Sequence, residues 1–401
     1  MILNISPLRK YRDYRLLYTG QLVSLFGSQV TTVAVPVQVY NITHSSLMVG
    51  LLGTVQLIPL LFFALLGGAY ADSVDRRKLL VISEILLALG SATLMINALV
   101  SRPSVILIFV ISAAMAALNG FHRPALDALT PRLVERQDLR AVAALSSLRF
   151  SISSIVGPAL GGFLIWKLGM ASTYAIDVVS FVISLVALAS IRSMPEKEKV
   201  KASLGSIVEG MRYAISRPEL IGTYLIDMIA MTFAMPMALF PAMAAGWGGA
   251  AAVGYLYSAM PAGALLATIF SGWTSKIDRH GVFVVVGAVI WGIAIIGLGY
   301  SHSLAAALLF LAIAGAGDNI SVIFRSAIWN ETIPNDLRGR LSGVEMISYL
   351  SGPMLGNTRA GWVASITSNR LSIISGGYIC LAGVLICIPL LPAFWKYRRA
   401  A

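Results

Sequence analysis

Apolar stretches of membrane-spanning length recur along nearly the whole chain, each closed by a short polar or charged segment. They fall at about 16–40, 47–71, 79–101, 103–121, 141–166, 170–191, 220–245, 250–273, 281–300, 303–324, 341–364 and 371–395. A helix needs about 20 consecutive apolar residues to cross the hydrocarbon core of a bilayer. The pattern therefore predicts an all-α polytopic membrane protein with twelve transmembrane helices, numbered here as spans 1–12. Span 1 is too long for a signal-peptide core and reads as the first membrane helix. The longest interior connection is charged, through Arg192, Glu196, Lys197, Glu198, Lys199 and Lys201. It divides the chain into an N-terminal half (1–191), a cytoplasmic linker (192–219) and a C-terminal half (220–401). The halves resemble each other. A shift of 204 residues lays Val49-Gly50, Leu52, Leu61 and Gly68 onto Val253-Gly254, Leu256, Leu265 and Gly272. Gly157-Pro158-Ala159-Leu160-Gly161 is echoed by Gly352-Pro353-Met354-Leu355-Gly356. A duplicated six-helix transporter would show such small residues at matching places.

Composition narrows the class. Of 401 residues, 57% are hydrophobic and only 12% charged, against roughly 25% charged in soluble domains. The net charge of +12 raises the question of a nucleic-acid partner. Its distribution answers otherwise. If the N-terminus lies inside, 25 of the 30 Lys and Arg fall in cytoplasmic segments, three in outer loops (Arg102, Lys167, Arg370) and two within spans (Arg149, Arg359). That asymmetry follows the positive-inside rule and places both termini in the cytoplasm. The expected setting is the inner membrane, crossed many times by a monomer. Cys380 and Cys387 both lie in span 12; seven residues apart on a helix they are separated by about 10 Å, too far for a disulfide. No nucleophile–base pair and no metal-ligand spacing occurs, so neither an enzyme nor a cofactor or metal is expected.

The segment from Gly67 to Lys78 carries five charges between Asp72 and Lys78. Gly67 and Gly68 permit close approach of a neighbouring helix. Asp72 is placed to bond the free N–H groups at another helix's start. This order, with Asp75, Arg76 and Arg77, resembles the loop 2–3 signature of the major facilitator superfamily. It departs from that signature at Ser73 and at Asp75, which replaces the usual glycine; Asp75-Arg76-Arg77 is common in the drug and siderophore exporter branch. The resemblance implies a cytoplasmic gate formed by Gly68, Asp72, Asp75, Arg76 and Arg77, with Asp72 latched near Arg338–Leu341 and Arg340 among its partners. The second-half loop, Gly272 to Arg279, has Lys276 where Asp72 would be. Gly157, Pro158, Gly161 and Gly162 in span 5 are similar to the Gly-Pro-x-x-Gly-Gly motif of exporters in this superfamily. A plain packing kink is the alternative, since proline removes a helical hydrogen bond. Asp13-Tyr14-Arg15-Leu16-Leu17, Gly20 to Ser24, Gly27, Pro124-Ala125, Thr130 to Val134 and Leu139 resemble the enterobactin-exporter-like group.

Seven ionisable residues lie within the spans: Glu84, Arg149, Asp177, Asp227, Asp318, Glu345 and Arg359. A charge facing lipid at the bilayer centre costs at least about 2.5–3.5 kcal/mol, so these should face the interior or each other. Arg149, Asp227, Asp177 and Glu345 are the candidates for substrate binding or proton coupling, with Arg149 and Asp227 as a central pair, one from each half. A static buried ion pair is the alternative. Glu84, Asp318 and Arg359 read as structural bridges. None of His44, His122, His280 and His302 falls centrally, which disfavours a histidine relay. Span 7 is rich in Met and Phe, and Pro236 and Pro241 are placed to break it. The function expected is export of a siderophore or amphiphilic drug-like molecule in exchange for protons. Uptake of a metal-chelate or nutrient, or a non-transporting receptor or lipid-handling scaffold, are the rivals. The expected partners are the small molecule, protons and the bilayer, with no nucleic acid.

Overall fold

The computed structural model describes residues 4–71, 75–192, 212–334 and 337–398, with side chains left out at 65–71, 338–340, 342–344 and 346–347. Asp72, the surroundings of Gly68 and Arg340, and most of the 192–219 linker lie outside the described residues. The long helices are α1 (Arg12–Thr43), α2 (Ser46–Ala71), α3 (Arg76–Leu99), α4 (Val105–Leu129), α5 (Leu139–Leu168), α6 (Met170–Ala189), α7 (Pro218–Ala234), α8 (Ala250–Ile269), α9 (His280–Tyr300), α10 (Leu304–Thr332), α11 (Arg338–Ile366) and α12 (Asn369–Leu390). Among the described residues, eleven helical segments are long and apolar enough to cross a membrane. The helix α11 is not one of the eleven, although its 29 residues extend about 43 Å. It carries Arg338, Arg340, Glu345, Asn357 and Arg359. The architecture is that of an all-helical, multi-pass membrane protein.

The starts of α4, α10 and α12 carry side-chain caps. Ser104, Ser303 and Ser368 accept from the amides of Leu107, Ala306 and Leu371. Such caps satisfy amides that have no partner within the helix. Between α5 and α6 the chain turns at Gly169, whose φ of +83° suits glycine. Two helices outlast their apolar runs. The α4 helix continues from 121 to Leu129 and α10 from 324 to Thr332. Extending an established helix through its polar tail needs no new nucleation, because each added residue closes one more bond. Arg325, counted above among cytoplasmic cations, is therefore a helix residue.

The chain divides into two compact units: residues 1–42 with 55–202, and residues 43–54 with 203–401. In the first unit, α3 packs on α4 and α6, and α5 on α6. Its core at one end gathers Tyr14, Leu17, Leu80, Leu129 and Leu145. In the second, α10 packs on α8 and α9, α12 on α9, and α7 on α11 and α12. Residues 43–54 join this second unit through α11. The Thr358 hydroxyl donates to the Gly50 carbonyl at 2.9 Å and lies 2.6 Å from the Thr54 hydroxyl.

Candidate functional site

The α7 helix crosses α10 in antiparallel register. One turn of each helix brings Thr223 opposite Trp329, and the next brings Asp227 opposite Arg325. Trp329 Nε1 donates to Thr223 Oγ1 at 2.8 Å, and the Tyr224 ring stacks tilted on Trp329 at 5.0 Å. Arg325 Nη1 forms an ion pair with Asp227 Oδ1, while its Nη2 lies 3.5 Å from Asp318 Oδ1, seven residues earlier on the same helix. Asp227 and Arg325 are nearly enclosed, whereas Asp318 is about a third exposed. Glu345 on α11 feels the same guanidinium electrostatically. Three acids thus share one arginine within a low-dielectric interior, where charges interact far more strongly than in water.

The sequence reading paired Asp227 with Arg149; the structure gives Asp227 a partner in its own unit, Arg325. That residue was missed because the apolar run ends at Phe324. A usable signal existed in the seven-residue spacing of Asp318 and Arg325, which puts both on one helical face.

In the first unit Arg149 projects from α5 over the Tyr18 ring, 5.8 Å from its centroid. Its Nε is buried without a hydrogen-bond partner. Asp177, fully buried on α6, accepts from Thr31 and Ser91, each at 2.6 Å, and lies 3.4 Å from Ser180 Oγ. Gly27 makes this possible, since a side chain there would strike Ser180 and Asp177. Glu84 is also fully buried; it accepts from Gln21 and from Ser184, the latter at 2.9 Å, and has His122 Nε2 at 3.4 Å. His122 lies in the extension of α4 and meets a membrane carboxylate, which the apolar run did not foretell.

Arg359 serves the break in α7. Its Nη1 donates to the Phe233 carbonyl at 3.2 Å and to the Ser372 carbonyl at 2.9 Å. Asn357 accepts from the Ala238 amide at 3.0 Å, on the far side of the Met235-Pro236 interruption. Exposed backbone groups at membrane depth need such protein partners.

The remaining motif residues have local partners. Asp75 caps α3 by accepting from the Arg77 amide at 2.9 Å and the Lys78 amide at 3.3 Å. Arg76 donates to the Ala128 carbonyl, and Arg77 to the carbonyls of Leu188 and Ala189. Both guanidiniums thus meet the negative ends of α4 and α6. Gly157, Pro158, Gly161 and Gly162 are all buried. A Cβ at Gly157 would meet the Gln29 side chain, and one at Gly161 the backbone of Val30, so these glycines let α5 lie close against α1.

Comparison with known proteins adds the following. The family model described as "Transmembrane secretion effector" matches residues 3–396. A protein named as an enterobactin exporter from Citrobacter koseri is 27% identical over 401 residues, covering 99% of this chain and 96% of its own. One of the same name from Shigella boydii is 26% identical over 392 residues, covering 97% and 94%. Among solved structures, a POT family transporter in complex with 5-aminolevulinic acid superposes with a TM-score of 0.75 at 14% identity, covering 96% of this chain and 97% of its own. A bacterial homologue of the lysosomal transporter Spinster, inward-facing and unoccupied, gives 0.72 at 14% identity, with 96% of each chain covered. At such identities the structures bear on the fold alone.

Proposed function

We propose, because this chain belongs to the transmembrane secretion effector family of major facilitator transporters, that it carries a small organic molecule out of the cytoplasm in exchange for protons. Transport itself follows from the family; cargo, direction and coupling are the proposal. The cargo is a siderophore or a related amphiphile, as the names of the full-length relatives suggest. Both termini face the cytoplasm, in keeping with the Lys and Arg distribution. The two six-helix halves alternate access to a site near the midplane.

The observation that carries the coupling is the Asp227–Arg325–Asp318 network. One guanidinium cannot neutralise two carboxylates and a third nearby. Taking up or releasing a proton changes which acid the arginine serves. Asp227 is the proposed exchanging group, because it alone among the three sits on α7, the helix interrupted at Met235-Pro236.

The test uses purified protein in liposomes with radiolabelled enterobactin as probe. The wild type should accumulate it against a gradient when a pH gradient is imposed, in the direction opposite to proton flow. Asp227→Asn should lose gradient-driven accumulation while retaining exchange of labelled for unlabelled probe. Unchanged gradient-driven flux in that variant removes Asp227 from the mechanism; flux in the direction of proton flow makes the protein an importer.

A further inference from the structure

We infer that Arg149, with Tyr14 and Tyr18, forms a receptor for a planar organic anion, so the transported molecule presents an aryl carboxylate or an equivalent flat, negatively charged group. This assignment of substrate class rests on the reading of the chain as a small-molecule exporter. Arg325 and Arg359, two other arginines within described helices, are answered by carboxylates or by carbonyls and a hydroxyl. Arg149 is not. Among the described residues it makes no hydrogen bond and no ion pair, and its one close partner is the face of the Tyr18 ring.

An arginine within a membrane helix is costly unless something answers its charge. A cation over a tyrosine ring recovers only about 0.5–2 kcal/mol, depending on desolvation. Among the described residues one acid, Asp127 on α4, acts on Arg149 electrostatically without closing a bridge. An arginine held open in this way is poised for a ligand. Its planar fork matches a carboxylate through two parallel hydrogen bonds, a geometry that lysine cannot reproduce.

The surroundings add a second requirement. Tyr14 is 2% exposed, and its buried hydroxyl has no hydrogen-bond partner. Its ring lies 6.0 Å from that of Tyr18 at a tilt of 49°. A buried hydroxyl without a partner costs about 1–3 kcal/mol, and a ligand acceptor within reach would offset it. The Tyr18 ring beside the guanidinium favours a flat aromatic body over an aliphatic one. The two tyrosines lie one turn apart on α1, and Arg149 reaches Tyr18 from α5. Gly157 and Gly161 let those two helices approach.

Binding of salicylate, a planar aryl carboxylate, and of its neutral amide salicylamide would be measured by calorimetry on the purified full-length protein. Salicylate should bind at least tenfold more tightly than salicylamide. Arg149→Gln should erase that preference, whereas Arg149→Lys should retain a weakened one. Tyr14→Phe should lower salicylate affinity several-fold while leaving the preference for the anion. Size-exclusion profile and helical content would certify each variant as folded. Equal binding of the two probes, no salicylate binding at millimolar concentration, or an Arg149→Gln protein with undiminished salicylate affinity overturns the inference. Because the readout is equilibrium binding, it separates from the coupling proposal. Arg149-dependent binding without proton-driven flux keeps the receptor and discards the antiport.

Discussion

Asp227 and Arg325 show how a buried charge acquires its meaning from its partner. Each would be costly alone in a membrane interior, and together they are held by the register of α7 on α10. Arg325→Met should therefore destabilise the protein by about 3–5 kcal/mol, because Asp227 would remain buried without its cation. Asp227→Asn combined with Arg325→Gln should recover much of that loss, since two neutral amides can bond to each other. Thermal unfolding in detergent reads both variants. If the double variant were no more stable than Arg325→Met, the pair would not be the source of the cost. Arg149 differs from Arg325 in that no carboxylate among the described residues closes an ion pair with it. Its removal should leave stability unchanged or improved while impairing binding.

At the scale of the element, α11 does more than span. Asn357, Thr358 and Arg359 are consecutive, so they point in successive directions around the helix. Asn357 and Arg359 reach the two sides of the α7 interruption, and Thr358 reaches residues 50 and 54. A helix broken at Met235-Pro236 leaves carbonyl and amide groups that only a neighbour can satisfy. Arg359→Met and Asn357→Leu should each lower stability by about 1–3 kcal/mol, the cost of orphaning a buried polar group. The drop would appear as a lower unfolding midpoint of the purified protein. Midpoints equal to wild type would mean that the break is held by packing alone. Asn357 and Arg359 add polar side chains to α11, which is not among the helices apolar enough to span a membrane among the described residues. Arg359, read from sequence as a structural bridge, donates here to the Phe233 and Ser372 carbonyls.

For the whole molecule, the distribution of basic residues is the basis for placing both ends of the chain in the cytoplasm. Ser6 and Arg398 are exposed near the two ends. In a background with Cys380 and Cys387 replaced by alanine, Ser6→Cys and Arg398→Cys should react with a membrane-impermeant maleimide in inside-out vesicles. They should be silent in intact spheroplasts. Labelling in spheroplasts would reverse the orientation and, with it, the side from which the cargo is taken. The native cysteines are buried, so they should react slowly in the folded protein.

By itself the sequence determined that this is a helical membrane protein, and where most of its helices lie. Spanning a bilayer requires a contiguous apolar run, and a helix satisfies its backbone within that run, so the information is local. The glycines at 157 and 161 were legible for a similar reason, since lack of a side chain signals close approach. Tertiary structure alone decided which charges meet. Asp227 and Arg325 are almost a hundred positions apart, and nothing in their neighbourhoods names the other. Helix ends were decided late as well. Hydrogen bonding carried α4 and α10 past their apolar runs, bringing His122 to Glu84 and Arg325 to Asp227. That Arg149 meets only the Tyr18 ring among the described residues is likewise a property of the fold, because it depends on everything packed around it.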